Sequence, residues 1–294
     1  MGILDFFSRA EAILLDTLAK AFVNLSPSRR HRAAKILAIL AHDILGIRRG
    51  HVRAMLPRHL KLSFVSACEL SGKVYQAFFE NSLEMATLPY IGKDRLLGRI
   101  RAEGFENLLG AVAKNRGVIL ISCHYGPWEL IPPWLCEKGF PVTIVVRRQK
   151  NVYVDSWMEF MRNSHGCFTT DSGFGMRKIL KTLHQGNFLA LMSDQDSGKE
   201  GIFVRFFEGF ASAPPGPAII AQKTGAAILP VVIHVKEKQP HLLEIRPPIF
   251  PSEFLPGIEG ARAITQAYTS ILEEWIRNRP EQWFWLHRRW KTQP

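Results

Sequence analysis

Two hydrophobic periods divide the chain. Five short apolar runs end abruptly in polar or turn-forming residues and read as buried strands: Val118 to Ser122, Val142 to Arg147, Phe188 to Ser193, Ile228 to Val235 and Leu242 to Arg246. Between and after them, apolar positions recur every three or four residues. That spacing predicts helices over Val152 to Ser164, Met176 to Gln185 and Pro217 to Thr224, and a long final helix from Gly260 to Asn278. Strands alternating with helices predict an α/β layered sandwich around a mixed, mainly parallel sheet. Upstream the pattern is helical only. Ala12 to Leu25, Ala33 to Ile47 and Lys61 to Leu88 form a helical region that ends before Pro89 and Gly92. The expected division is a helical, membrane-associating region over residues 1–95 and an α/β core with a Trp-rich tail over residues 96–294.

The first strand ends in Ser122-Cys123-His124-Tyr125-Gly126-Pro127-Trp128-Glu129. In α/β sheets ligands bind beyond the carboxyl ends of the strands, so His124 and Glu129 fall where chemistry is commonly done. Positions five apart on one helix do not face each other. A turn at Gly126 with Pro127 in the first turn of a helix would let Glu129 fold back and fix one imidazole nitrogen as a donor, freeing the other as a general base. The same residues also suit a histidine satisfied at a strand end and a glutamate favoured by a helix dipole. Arg147 and Arg148 close the second strand, Arg162 lies late on the next helix, and Asp194 with Gln195 closes the third strand. Arginines so placed can clamp a phosphate or carboxylate.

Charge sharpens this picture. The 294 residues carry a net charge of +12, with nine Lys or Arg and one acid, Asp43, between Arg29 and Lys61. A basic collar on an apolar helix suits an anionic membrane surface, and an ordinary helical hairpin packed on the core fits the same pattern. No zinc finger or RNA-binding aromatic signature accompanies the charge, so nucleic acid is not the expected partner. No signal peptide is evident, and no run of about 18 uncharged apolar residues predicts a spanning helix. Cysteines at 68, 123, 136 and 167 show neither metal-ligand spacing nor a disulfide framework, so no metal is expected and a reducing compartment is. A serine-hydrolase elbow and a phosphate loop are both missing. Cys123 as a nucleophile would share a strand end with His124 and point away from it. The tail, with Trp283, Phe284, Trp285 and Trp290 among Arg288, Arg289 and Lys291, suits a headgroup-level belt or packing of the last helix on the sheet.

His124-Tyr125-Gly126-Pro127-Trp128-Glu129, Arg147-Arg148 with Asn151, Arg162 before Gly166, Asp194-Gln195-Asp196, Phe206-Phe207-Glu208-Gly209, Pro230 and the tail from Pro280 to Lys291 together resemble the lipid A biosynthesis acyltransferase family, relatives of the glycerophosphate and lysophospholipid acyltransferases. The resemblance implies transfer of a fatty acyl chain from acyl carrier protein, or from CoA, to a hydroxyl of a membrane lipid. It implies action at the cytoplasmic face of the bacterial inner membrane, with no cofactor beyond the acyl donor; the spanning anchor common among relatives is not evident in this sequence, so a peripheral or monotopic attachment is expected. His124 would be the base, Glu129 its orienting acid, and Arg162 and Asp194 binding or support residues. Backbone N–H groups of Gly126 and Trp128 would hold the oxyanion. Pro127 stands where the family usually has asparagine, and Glu208 interrupts a Phe-Phe-Gly run. The acceptor expected is a lipid A precursor. The alternatives are another glycolipid or phospholipid, such as a phosphatidylinositol mannoside or a lysophospholipid, and a non-catalytic membrane lipid-binding protein.

Overall fold

The structure is a computed structural model and describes residues 3–171, 176–236 and 240–294. Four helices come first: α1 (Ile3–Val23), α2 (Pro27–Ile39), α3 (Arg49–Leu60) and α4 (Phe64–Ala86). The predicted Ala33–Ile47 helix is broken. After α2 a π-turn over Leu40–Ile44 ends at Gly46, whose φ of +61° stops the helix. The inserted turn buries His42, which hydrogen-bonds Ser71 on α4 at 2.9 Å. Helix α3 was not predicted, because only Val52 and Leu56 anchor it among Arg, His, Gly and Pro residues.

The α/β part runs α5 (Lys93–Gly98), β1 (Ile100–Glu103), α6 (Phe105–Val112), β2 (Val118–Ser122), α7 (Ile131–Glu137), β3 (Val142–Val146), α8 (Val152–Asn163), β4 (Phe168–Asp171), α9 (Met176–His184) and β5 (Phe188–Met192). It continues with the hairpin β6 (Ile202–Phe206) and β7 (Gly209–Ala213), then α10 (Gly216–Thr224), β8 (Ala227–His234), β9 (His241–Ile245) and α11 (Gly257–Asn278). Seven strands form one sheet in the order β1-β9-β8-β2-β5-β3-β4, parallel everywhere except between β8 and β9. The mixed, mainly parallel sandwich expected from the sequence is therefore present. All five predicted strands form within a residue of their expected bounds, whereas β1, β4 and the β6–β7 hairpin were not predicted. The first two are four-residue strands with a charged or hydroxyl residue at most positions, too short to carry a period.

Strand β2 is buried on both faces, as a central parallel strand should be. Ile119 and Ile121 join a core cluster with α9–α11 and the tail, while Val118 and Leu120 join the opposite cluster with α6 and α7. The Trp-rich tail does not form an interfacial belt. Trp283 and Trp285 are fully buried; their rings lie 4.8 Å apart and pack against Phe206, Phe207 and Trp290 at centroid distances of 5.7–6.4 Å. Glu208 is a turn residue of the β6–β7 hairpin, held by Lys61 at 3.2 Å.

The N-terminal helices pack on the core and still leave apolar residues exposed. Helix α1 packs on α8, where Asp16 accepts from Trp157 Nε1 at 3.1 Å and from the Tyr90 hydroxyl. Yet Ile36, Ile39, Leu40, Ile44 and Ile47, spaced to share one side, stay exposed, as do Ile13, Leu14, Phe64 and Val65. Among the described residues no helix is long and apolar enough to cross a membrane.

Candidate active site

The register of two strands builds the site. Strands β2 and β5 run parallel with Ser122 opposite Met192, and the ladder continues as Ser193 N–H donates to the Ser122 carbonyl at 3.2 Å. Two residues further along each chain stand His124 and Asp194, side by side at the sheet's carboxyl edge. Asp194 Oδ1 lies 2.7 Å from His124 Nδ1, and Oδ2 accepts from the His124 backbone N–H at 2.8 Å and from the Trp283 indole at 2.7 Å. A carboxylate only accepts, so Nδ1 carries the proton and Nε2 presents its lone pair. The Gln195 side-chain amide stands 3.4 Å from that nitrogen.

The turn after His124 is pinned from two sides. Gly126 has φ +57°, and a Cβ there would lie 2.4 Å from the Ile233 carbonyl oxygen, so only glycine fits. The tail pairs alongside: Gly126 N–H donates to the Gln282 carbonyl at 3.1 Å and Phe284 N–H to the His124 carbonyl at 3.0 Å. That seating is what brings the Trp283 indole to Asp194. It also corrects the oxyanion expectation at Gly126, whose N–H is already spent on Gln282. Trp128 opens a 3-10 turn, where the first N–H groups have no partner within the turn, and it lines the cavity beside His124.

Glu129 is not the partner of His124. The chain does turn at Gly126, but Glu129 sits in the 3-10 turn that leads into α7, and Arg162 in the last turn of α8 takes its carboxylate bidentately, with Nη2 at 2.6 Å and Nε at 3.0 and 3.2 Å. Both side chains are nearly buried. Burial works against the charge on Arg162, but Glu129 outweighs it and raises the guanidinium pKa. Arg162→Ala would strand the Glu129 carboxylate, and a loss of roughly 3–5 kcal/mol in unfolding free energy is expected by urea titration. Adding Glu129→Gln should restore much of that loss.

Arg147 and Arg148 do not join this cluster. Both are exposed at the end of β3, and Arg148 is engaged by Asp155 and Glu159, each at 3.0 Å. An arginine already paired at the surface is no preformed phosphate clamp. Cys123 is buried, and burial together with the Asp194 charge pushes its thiol pKa well up, leaving it protonated and a poor nucleophile.

Burial alone would disfavour an imidazolium at residue 124, but Asp194 overrides it and raises the pKa above the ordinary value of 6.5. The same pairing holds Asp194 well below the carboxylate range despite its burial. The ring keeps 19% of its side-chain surface exposed, facing a cavity of about 10 Å³ lined by Phe78, Asn81, Trp128, Gln282, Trp283 and Phe284. Phe78 and Phe284 lie 5.2 Å apart over this opening. Sequence reasoning missed the helix α4 residues, Gln282 as a lining side chain and the indole of Trp283 as a donor. The one available signal was a tryptophan three residues after the start of a conspicuous tail motif.

A parallel-sheet α/β protein with a carboxylate-braced histidine at the sheet's carboxyl edge defines a class that several chemistries share. The family is set by the sequence: residues 19–292 match the bacterial lipid A biosynthesis acyltransferase family, and the chain belongs to it. It is similar to the lipid A biosynthesis palmitoleoyltransferase of Escherichia coli K12, 31% identical over 65% of this chain and 61% of that protein. Similarity extends to the phosphatidylinositol mannoside acyltransferase of Mycolicibacterium smegmatis, 27% identical over 70% of this chain and 67% of that one. The E. coli lipid A biosynthesis lauroyltransferase is 26% identical over 65% of this chain and 61% of its own length. The matched stretch thus spans about 61% of the lipid A relatives.

Proposed function

We propose that this chain moves a fatty acyl group from the thioester of acyl carrier protein, or of CoA, to a hydroxyl of a membrane glycolipid, with a lipid A precursor as the acceptor. The observation that carries the reading is the unprotonated Nε2 of His124, opposite an Nδ1 tied to a buried aspartate, in a chain of this family. Nε2 takes the proton as the alcohol oxygen attacks the thioester carbonyl, and the charge on the imidazolium is balanced by Asp194. The tetrahedral intermediate then expels the thiol, which recovers that proton. A thiol with a pKa near ~8.5 leaves without a stronger acid. No acyl-enzyme is needed. The Trp128 N–H and the Gln195 amide are the donors placed to meet the oxyanion.

A cavity of about 10 Å³ holds one water molecule, not an acyl chain. Substrate entry therefore requires Phe78 and Phe284 to swing apart. The exposed apolar stripe from Ile36 to Ile47, with Arg29, Arg32, Lys35 and Arg48 exposed around it, supports a peripheral seat on an anionic bilayer, which the proposal puts at the cytoplasmic face of the inner membrane.

The test is direct transfer. Purified protein, an acyl thioester and vesicles carrying a lipid A precursor or a phosphatidylinositol mannoside are incubated, and the lipids are read by mass spectrometry. One added acyl chain on the lipid A precursor, with one thiol released per chain, is expected. Free fatty acid alone, or no change in either acceptor, contradicts the proposal.

A further inference from the structure

On the far side of the tail segment that covers His124 lies a cleft of about 1030 Å³ between α2, α4, the end of β8 and the tail. Asn81 and Gln282 line both this cleft and the small cavity beside His124, and they form one hydrogen bond, Asn81 Nδ2 to Gln282 Oε1, at 3.1 Å. This side-chain pair therefore forms part of the wall between the large space and the imidazole. The cleft's walls mix Pro27, Leu83 and Val235 with the charged side chains of Arg30, Glu80, Glu84, Lys236 and Arg279, a lining that suits a polar, charged occupant better than an acyl chain alone.

Resting on the acyl-transfer reading and extending it, we propose that this cleft seats the phosphorylated sugar headgroup of the acceptor, with Arg30 and Lys236 holding its phosphate. Arg30 is half-buried, its Nε is buried without a hydrogen-bond partner among the described residues, and no ion pair of those residues engages it. A cationic nitrogen withdrawn from water and left unpaired is costly unless an anion completes it. Lys236 likewise takes part in no ion pair of the described residues and stands exposed at the rim.

The carboxylates of the cleft have their own partners: Glu80 accepts from His31 at 2.7 Å, and Glu84 accepts from His241 at 2.9 Å with Arg99 at 3.9 Å. Burial raises the Glu84 pKa, but His241, Arg99 and Arg30 outweigh it and lower the value; Arg30 acts by its charge and forms no ion pair with Glu84 among the described residues. Carboxylates, amides and imidazoles interleaved with free cations match a ring of hydroxyls that bears a phosphate better than they match a bare anion. Size agrees, since the volume is at the upper end of the range for small-molecule sites and far exceeds one phosphate. A headgroup so placed meets the Asn81–Gln282 pair on the side toward His124, so parting of that pair would bring a hydroxyl, or one on an attached acyl chain, toward the base.

The same phosphate chemistry could arrive on the phosphopantetheine arm of the donor, and the experiment separates the two. Binding is read first, by ligand-observed NMR with glucose 1-phosphate against glucose, on the wild-type chain and on Arg30→Gln and Lys236→Ala, each checked for native circular dichroism. Glucose 1-phosphate should bind more tightly than glucose, and each substitution should weaken it by about tenfold, the value of one charge-assisted contact. In turnover, both variants should raise KM for a phosphorylated glycolipid by about tenfold, leave KM for the acyl thioester unchanged, and match the wild type on the dephosphorylated lipid. Equal sugar-phosphate affinity in variants and wild type overturns the inference, and so does a rise confined to the KM of the donor. A chain that transfers no acyl group yet binds glucose 1-phosphate through Arg30 sinks the acyl-transfer reading instead and leaves the cleft assignment standing.

Discussion

His124→Ala should slow acyl transfer by about 10²–10⁴-fold in kcat with little change in KM, the scale of a lost general base. The fold should survive, because Asp194 keeps two of its three donors, the backbone N–H of residue 124 at 2.8 Å and the Trp283 indole at 2.7 Å. Thermal unfolding of the variant checks that point. Added imidazole should restore part of the rate, since the space vacated opens on the cavity that the ring now faces. An unchanged rate would remove His124 from the chemistry altogether.

Asp194→Asn tests the brace behind the base, with a comparable loss expected. An asparagine offers one oxygen and an amide in place of two acceptors, so it cannot hold Nδ1–H, the backbone N–H and the Trp283 indole at once. The favoured tautomer is lost, and kcat should fall by about 10²–10⁴-fold. The pH profile supplies a second readout. The base works neutral, and its pKa is raised because Asp194 outweighs burial, so wild-type activity should climb with pH through a limb above 6.5. Without the aspartate, burial prevails and the limb should move to lower pH. An alkaline shift would contradict this electrostatic account. A variant that only lost structure would move no limb.

Much of this site was legible from the chain, and its largest error is instructive. His124 and Asp194 were both singled out as residues just past strand ends. What joins them is the parallel register of β2 and β5, a non-local fact that no motif spacing contains. Glu129 was paired with His124 because it is five residues away and a turn intervenes. The turn exists, but a closer partner arrives from α8, and a bidentate guanidinium outcompetes a single ring nitrogen. The tail illustrates the limit of composition, because aromatic and basic residues fit a lipid interface and a buried cluster alike. Their place beside Asp194 is decided by the antiparallel pairing of Trp283 with Tyr125. The cleft draws on α2, α4, the end of β8 and the tail, and only the tail residue Gln282 lies within a motif that the sequence singles out.

The central claim is that residue 124 holds its proton on Nδ1 and offers Nε2. ¹⁵N NMR of the histidine-labelled chain, with the resonances of residue 124 assigned by their loss in His124→Ala, measures this directly across a pH titration. The account predicts a neutral Nδ1–H tautomer whose titration midpoint lies above 6.5 and falls in Asp194→Asn. A proton on Nε2, or a midpoint below 6.5 in the wild-type chain, would contradict it.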